Sequence, residues 1–342
     1  SVRRFRAGTG SGFYVPVPFG PVQNTDVHAL PQVDLVVITP PALREAADSL
    51  ARIHQAEGLD VAVLEPSFIY DCFSSGRVDP TAFKMLMKML YDRADGNPAL
   101  EPRYLQLFGD GTFRNRNLPR FGNLLVTFQS AQSHTPTQSY VTDDYFGFLS
   151  DVASERLTDT LAIGIGRIPA GTPAEAWDAV AKVVAYSGGN PDPDGAGCTT
   201  AGLPGEGGGN PFGPWRNRLC FVADDFDGNG GATETGHTLY SIGHAEGVEE
   251  DHGDYDIERI FMDAYPQVAT PGGERYPEVE EAIDRRVRDG ALLVNYIGHG
   301  GERGWAHERV LNTSTIGAWD NLDRMPLFFT ATCELARFDD PE

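Results

Sequence analysis

The sequence predicts an α/β fold with parallel sheets and flanking helices, arranged as two tandem subdomains. Short apolar runs of strand length alternate with longer stretches of helical periodicity. The alternation is interrupted by a polar stretch near residues 130–143 and then restarts. A length of 342 residues is typical of about two domains. Because consecutive strands separated by helices need crossover connections, the strands are expected to run parallel.

The first subdomain is predicted over residues 31–135, after an extended lead-in of residues 1–30 that is rich in glycine, proline and aromatic side chains. One helix is expected to open at Pro40 with Thr39 as its cap, and a second to begin at Asp79-Pro80. These helices separate three predicted strands, at 35–38, 61–64 and 104–108. Nothing in this subdomain points to catalysis.

The second subdomain, residues 136–342, is predicted to carry the chemistry. Thr172 and Glu175 form a capping box for a helix that continues to Tyr186. Further helices are expected near 234–246 and 278–288. The predicted strands are 161–165, 219–223, 259–262, 292–297 and 327–331.

The charge balance excludes some partners. The chain has 49 acidic and 27 basic side chains, a formal net charge of −22, and only three lysines. Such a body repels phosphate backbones, so no nucleic-acid partner is expected. Salt adaptation and GC-rich coding both account for the scarcity of lysine. No apolar run is long enough for a transmembrane helix, and the four cysteines lack the Cys-x-x-Cys spacing of a zinc site.

Three predicted strands deliver reactive side chains at their carboxyl ends, where open α/β sheets bind ligands. His299 follows strand 292–297, Cys333 follows strand 327–331, and Asp224-Asp225 follows strand 219–223. Thiol catalysis needs a thiolate and an imidazole that protonates the leaving amine. The N–H groups of Gly300 and Cys333 are candidates for an oxyanion hole, and Asp225 is the candidate to orient the imidazole.

Each residue taken alone also has an ordinary explanation. A cysteine at a strand end is usually a small buried hydrophobe, Gly-His-Gly is a common turn, and an Asp pair is a common solvated strand end. Their convergence on one sheet edge favours the catalytic interpretation. His244, His252 and His307 lack such a setting and are expected at the surface.

The two histidine and cysteine segments resemble those of the gingipain-type cysteine peptidases of family C25. Residues 295–305 resemble the active-site histidine segment, and residues 329–333 the nucleophile segment. The continuation, residues 334–341, is similar to the PorU branch of the family, the sortases or C-terminal signal peptidases of the type IX secretion system. The resemblance implies a caspase-like fold, Cys333 as nucleophile, His299 as general acid/base and no required cofactor.

Two positions depart from the family pattern. The gingipain third residue is a Glu, whereas Asp225 stands here, which leaves its catalytic role open. Arginine gingipains place an Asp three residues before a His to bind substrate arginine, and Glu234 precedes His237 by three. The alternative interpretation is that Glu234 is a carboxylate at the start of a helix, where negative charge is favourable.

Residues 225–230 begin like a calcium loop, but Gly236 occupies the twelfth position, where an EF-hand needs Glu. A looser structural Ca²⁺ site and an ordinary acidic turn remain alternatives.

The resemblance implies a cysteine endopeptidase or transpeptidase that removes C-terminal sorting domains from type IX cargo at the bacterial cell surface. Water or a lipopolysaccharide amine would resolve the thioester, and other type IX components would be partners. Family catalytic domains extend well beyond the Cys333 segment, so part of the cleft is expected to come from further chain. The alternative is a catalytically silent peptidase-like scaffold. A nucleotide-binding protein is disfavoured because no Gly-x-Gly-x-x-Gly or Walker motif follows a strand.

Overall fold

Two four-stranded sheets, each entirely parallel, form the framework of the protein. The computed structural model describes residues 25–115, 124–130, 140–150, 160–187, 212–226, 235–333, 335 and 337–339. Several two- and three-residue ladders lie outside the two main sheets.

The first sheet has the strand order β2-β1-β3-β4. Its strands are β1 (Leu35–Ile38), β2 (Val61–Leu64), β3 (Tyr104–Phe108) and β4 (Gly164–Ile168). The helices that flank it are α1 (Arg44–Ala56), α2 (Pro66–Phe73), α3 (Pro80–Arg93) and α4 (Pro173–Ser187).

Alternate residues of the first sheet pack on opposite layers. Val36 and Ile38 belong to a buried cluster with α2 and α3, whereas Leu35 and Val37 belong to a cluster with α1 and α4. Both faces of the sheet are therefore covered, as the near-continuous apolar strands of a parallel sheet require.

Strand pairing does not follow the predicted subdomain boundary at residues 135/136. The predicted strand 161–165 is observed at 164–168, and it pairs with β3 in the first sheet, Tyr104 opposite Gly164. Helix α4 follows it onto the same sheet, against α1. Strand pairing between distant segments decides sheet membership, and the order of segments along the chain does not reveal it.

The second sheet has the strand order β6-β5-β7-β8. Its strands are β5 (Arg218–Ala223), β6 (Asp256–Phe261), β7 (Leu293–Ile297) and β8 (Leu327–Ala331). The associated helices are α5 (Thr235–Asp251), α6 (Pro277–Asp289) and the short α7 (Thr313–Gly317). Helix α5 packs on β5 and β7, and α6 packs with Val222, Val294 and Tyr296 on the other face.

Local signals at the helix starts had mixed outcomes. The capping box is confirmed, since the amide of Glu175 donates to Thr172 Oγ1 and the amide of Thr172 donates to the Glu175 carboxylate. The Asp79 side chain likewise accepts from the amide of Thr81 at the start of α3. The predicted Thr39 cap is wrong, because its hydroxyl donates to the Pro40 carbonyl and a 3-10 turn, Pro41–Leu43, precedes α1. Helix α2 was not predicted.

None of the helices in the described ranges is long and apolar enough to cross a membrane.

Candidate active site

The carboxyl ends of three adjacent strands meet at one edge of the second sheet. Ile297, the last residue of β7, lies opposite Ala223 of β5 on one side and Ala331 of β8 on the other. The residues that follow are Asp224-Asp225, Gly298-His299 and Thr332-Cys333. His299 and Cys333 each stand two residues beyond a paired position, so both follow strands that end at this edge of the sheet.

Two glycines on either side of His299 allow these ends to approach closely. A Cβ atom at Gly298 would lie 2.5 Å from Cβ of Asp224, and one at Gly300 would lie 2.3 Å from Oγ1 of Thr332. Neither distance is compatible with a side chain. The histidine segment is therefore in contact with the Asp224 segment on one side and with the cysteine segment on the other.

Hydrogen bonds hold the His299 backbone from both of its ends. Its amide donates to Asp224 Oδ2 at 2.7 Å. Its carbonyl accepts from the Tyr296 hydroxyl at 2.6 Å and from the Ala306 amide at 2.8 Å. The Tyr296 ring stacks on Trp305, with ring centroids 4.2 Å apart. The main chain that carries the imidazole is thus held by contacts that do not involve the His299 side chain.

The two adjacent aspartates have different partners. Asp224 accepts the His299 amide, whereas Asp225 Oδ2 accepts the Tyr276 hydroxyl at 2.7 Å. Tyr276 lies at the start of α6, and burial together with the Asp225 carboxylate raises its pKa, so it remains a donor. The role of Asp225 beside the imidazole stays a prediction, and Asp224 is the carboxylate in contact with the His299 main chain.

Burial raises the pKa of Asp224 above its ordinary value. The His299 amide and the nearby rings of His299 and His237 oppose this shift. Glu308 completes a trio of buried carboxylates, since Asp224, Asp225 and Glu308 are only 2%, 6% and 3% exposed. Their oxygens lie within 4.8 Å of one another. The imidazole therefore lies beside a concentration of buried acid groups.

Two further histidines surround His299. The His237 ring, in the first turn of α5, lies 5.0 Å from it edge-on, and the exposed His307 ring stacks on it at 5.5 Å. His244 and His252 are exposed, as expected, and so is His307. The sequence did not indicate that His307 and His237 adjoin His299. For His237, the signals were its place on a helix that follows Asp224-Asp225 and its position three residues after Glu234.

Among the residues that the structure describes, two groups of side chains can hold a metal ion by their geometry. One combines Asp224, His237 and His299; the other combines Asp224, Asp225 and Glu308. In each group the ligand atoms lie within 4.8 Å of one another. The predicted calcium loop continues into residues 227–230, which lie outside the described residues, as does Glu234.

Cys333 is exposed and carries a free thiol. Its carbonyl accepts the amide of Leu335 at 2.7 Å. Gly300 lies opposite Trp305 in a short antiparallel ladder. The assignment of the Gly300 and Cys333 amides to an oxyanion hole stays a prediction.

The segment beyond Cys333 binds to the end of the first sheet. The amide of Phe113 donates to the carbonyl of Asp339 at 2.7 Å, and the Arg167 guanidinium lies over the Phe338 ring at 4.9 Å. Arg337 bonds both Asp339 and Glu302. The loop that carries Cys333 is therefore attached to both sheets. We call residues 337–339 the anchor segment.

Comparison with known proteins places these features in context. The model of peptidase family C25 matches residues 28–342. The fold is similar to that of the Arg-specific cysteine proteinase gingipain R (RgpB), with a TM-score of 0.58 and 16% identity over 91% of this chain and 56% of that one. The fold is also similar to the complex of the Porphyromonas gingivalis RgpB pro- and mature domains. That comparison has a TM-score of 0.56 and 17% identity over 87% of this chain and 55% of that one. The caspase-like α/β fold is thereby confirmed.

Dimeric latent PorU from Porphyromonas gingivalis is 34% identical over 52% of this chain and 18% of that one, with a TM-score of 0.45. The chain thus spans 18% of PorU and little more than half of the gingipain chains. No curated protein sequence matches it significantly.

Proposed function

The chain belongs to peptidase family C25, and on that premise we propose that it is a cysteine peptidase with Cys333 as nucleophile and His299 as general acid/base. The observation that carries the proposal is the contact geometry of the three strand ends. Gly298 and Gly300 bring the His299 segment against Asp224 and against Thr332, one residue before the thiol.

The chemistry follows from these positions. His299 takes the proton from Sγ of Cys333, and the thiolate attacks the scissile carbonyl carbon. The amides of Gly300 and Cys333 are the proposed donors to the resulting oxyanion. The imidazolium then gives its proton to the leaving amine, and the thioester is resolved by water or by another amine.

The buried carboxylates support this proton transfer. Negative charge beside an imidazole stabilises the imidazolium that pairs with a thiolate. Asp224 also accepts the His299 amide, so the same carboxylate holds the backbone that carries the ring. Asp225 accepts the Tyr276 hydroxyl, and its role in orienting the imidazole is part of this proposal.

The test is labelling by a thiol-directed peptide probe together with cleavage of a peptide substrate. Cys333→Ala should abolish both, while Cys72→Ala, which removes another free thiol, should leave both intact. Full cleavage by the Cys333→Ala variant would refute the nucleophile. A folded wild-type protein that neither labels nor cleaves would support the silent scaffold instead.

We further propose that the substrates are proteins with C-terminal sorting domains exported by type IX secretion, at the outer, cell-surface face of the outer membrane. This rests on the similarity of residues 334–341 to the PorU branch. In this proposal the acyl group passes to water or to a lipopolysaccharide amine, and other type IX components are partners. No cofactor takes part.

The longer protein that contains this chain should be incubated with a cargo that bears its sorting domain, with and without lipopolysaccharide. Mass spectrometry of the new terminus then distinguishes the outcomes. A free carboxylate indicates hydrolysis, an attached amine indicates transfer, and an uncleaved cargo contradicts this substrate class.

For specificity we propose that Glu234 receives a basic side chain of the substrate, since it precedes His237 by three residues. Glu234→Gln should raise KM for substrates with arginine before the scissile bond and leave neutral substrates unaffected. Equal effects on both would assign Glu234 to the start of α5 instead.

A further inference from the structure

The chain has a mixed set of metal-binding atoms beside the proposed nucleophile. Asp224, His237 and His299 come from the end of β5, the first turn of α5 and the end of β7. One carboxylate oxygen and one nitrogen from each ring lie within 4.8 Å of one another. From this geometry we propose that the three side chains bind Zn²⁺ reversibly, with the proposed catalytic imidazole as one of the ligands.

The donor set is the kind that zinc prefers. Zinc accepts imidazole nitrogen at about 2.0–2.1 Å and carboxylate oxygen at about 2.0–2.2 Å, and three protein ligands leave a fourth position for water. Calcium and magnesium require mostly oxygen ligands, so two imidazoles disfavour them. The edge-on arrangement of the His237 and His299 rings lets a nitrogen of each approach a common point after small side-chain rotations.

The surrounding contacts leave the ligand atoms available. Nδ1 of His237 is buried and makes no hydrogen bond within the described part of the chain. Asp224 accepts one N–H at each oxygen, from His299 and from Asp225, and each oxygen keeps a further lone pair. The buried carboxylates of Asp225 and Glu308 add negative charge that attracts a dication.

Zinc bound in this way would occupy the lone pair with which His299 takes the thiol proton. The expected consequence is reversible inhibition of peptidase activity, and this consequence alone rests on the proposed function. Metal binding itself is measured independently, in a variant that has no nucleophile.

The experiment titrates Zn²⁺, and Co²⁺ as a spectroscopic substitute, into the Cys333→Ala variant by calorimetry and visible absorption. We expect one ion to bind per chain. The visible absorption bands of bound Co²⁺ should indicate a low coordination number, and no thiolate-to-cobalt charge-transfer band should appear. Adding His237→Gln to this variant should weaken binding at least about tenfold. His244→Gln, an exposed histidine on the same helix, is the matched control and should not change the affinity.

Two results would overturn the proposal. If the Cys333→Ala variant does not bind zinc at all, any affinity of the wild type belongs to the thiolate. If His237→Gln and His244→Gln bind equally well, the His237 ring is not a ligand. In a chain that keeps Cys333, the single substitution His237→Gln should also reduce inhibition by zinc, while probe labelling of Cys333 continues. Loss of peptidase activity in every variant would contradict the proposed function but leave the metal titrations interpretable.

Discussion

The two sheets have the same strand order and different chemistry at their carboxyl ends. In the first sheet, the ends of β1 and β3 lead to Thr39 and to Gly109-Asp110. In the second, the equivalent ends of β5 and β7 lead to Asp224-Asp225 and to Gly298-His299. The topology alone therefore does not create a site. The difference lies in the few residues after each strand, and in the glycines that let those residues meet.

The first sheet instead binds the anchor segment near the carboxyl end of its strands. Arg167, in β4, forms a buried bidentate pair with Asp143, at 2.7 and 2.8 Å, and also donates to the carbonyl of Val126. Its guanidinium faces the ring of Phe338 in the anchor segment. Where the second sheet presents an imidazole, the first sheet holds the loop that carries the thiol.

The largest expected effect is on the second sheet. His299→Ala should lower kcat/KM by at least about 100-fold, because the general acid/base is lost. The melting temperature should stay near that of the wild type, since the bonds to Asp224, Tyr296 and Ala306 involve the main chain of His299. Peptide cleavage and thermal unfolding measure the two quantities, with the exposed His252→Ala as the control. A variant that simply unfolds would show that His299 is structural.

The corresponding change in the first sheet is Arg167→Met. It leaves the Asp143 carboxylate buried without its partner, and we expect the free energy of unfolding to fall by about 3–5 kcal/mol. Denaturant unfolding measures the loss. Arg44→Met, which breaks a more exposed pair with Asp48, should cost less than about 1 kcal/mol. Similar losses in both variants would contradict the structural role assigned to Arg167.

A smaller effect is expected at the contact between the histidine segment and the cysteine segment. Gly300→Ala places a methyl group against Thr332 and should separate His299 from Cys333, with a loss in kcat/KM of at least about tenfold. Gly301→Ala is the matched control, because its new Cβ would have no atom within 4 Å. The measurement is kcat/KM for peptide cleavage by the two variants, compared under the same conditions. If both retain wild-type activity, the close approach at Gly300 is not needed for catalysis.

The smallest expected effect concerns Asp110, at the end of β3. Burial raises its pKa above 3.8, while the Gly111 amide and Arg167 oppose the shift. The folded state therefore keeps a proton that the unfolded state has released, so stability falls as pH rises from 3.8 through the folded-state pKa. Asp110→Asn should lack the contribution of Asp110, so its decline should be shallower than that of the wild type. Melting temperatures of both proteins across the acidic range test it, and parallel curves would contradict it.

Much of the site was predictable because its signals are local. The apolar runs that end at Ile297 and Ala331, and the Gly-His-Gly and Thr-Cys that follow them, lie within short stretches of sequence. Parallel pairing then forces such ends to one edge. The strands at 35–38, 61–64, 104–108 and 327–331 were found at their predicted positions for the same reason.

What could not be predicted depends on pairing between distant segments. No pattern links residues 164–168 to β3, because the same apolar strand fits either sheet until its neighbours are known. The bond of Tyr276 to Asp225 spans 51 positions, and the approach of His237 to His299 depends on how α5 packs. Burial of Glu308 was equally unpredictable, since its neighbours in sequence are His307 and Arg309.

The anchor segment has a thermodynamic consequence for the whole chain. Residues 337–339 contact Phe113 and Arg167. Ligand binding at Cys333 and docking of the anchor segment on the end of the first sheet are therefore expected to be coupled. Such coupling is reciprocal, so a ligand that favours docking of the anchor segment is itself bound more tightly, by the same factor, when that segment is docked. We therefore expect a covalent adduct on Cys333 to slow hydrogen exchange of the Phe113 amide, which donates to Asp339 of the anchor segment.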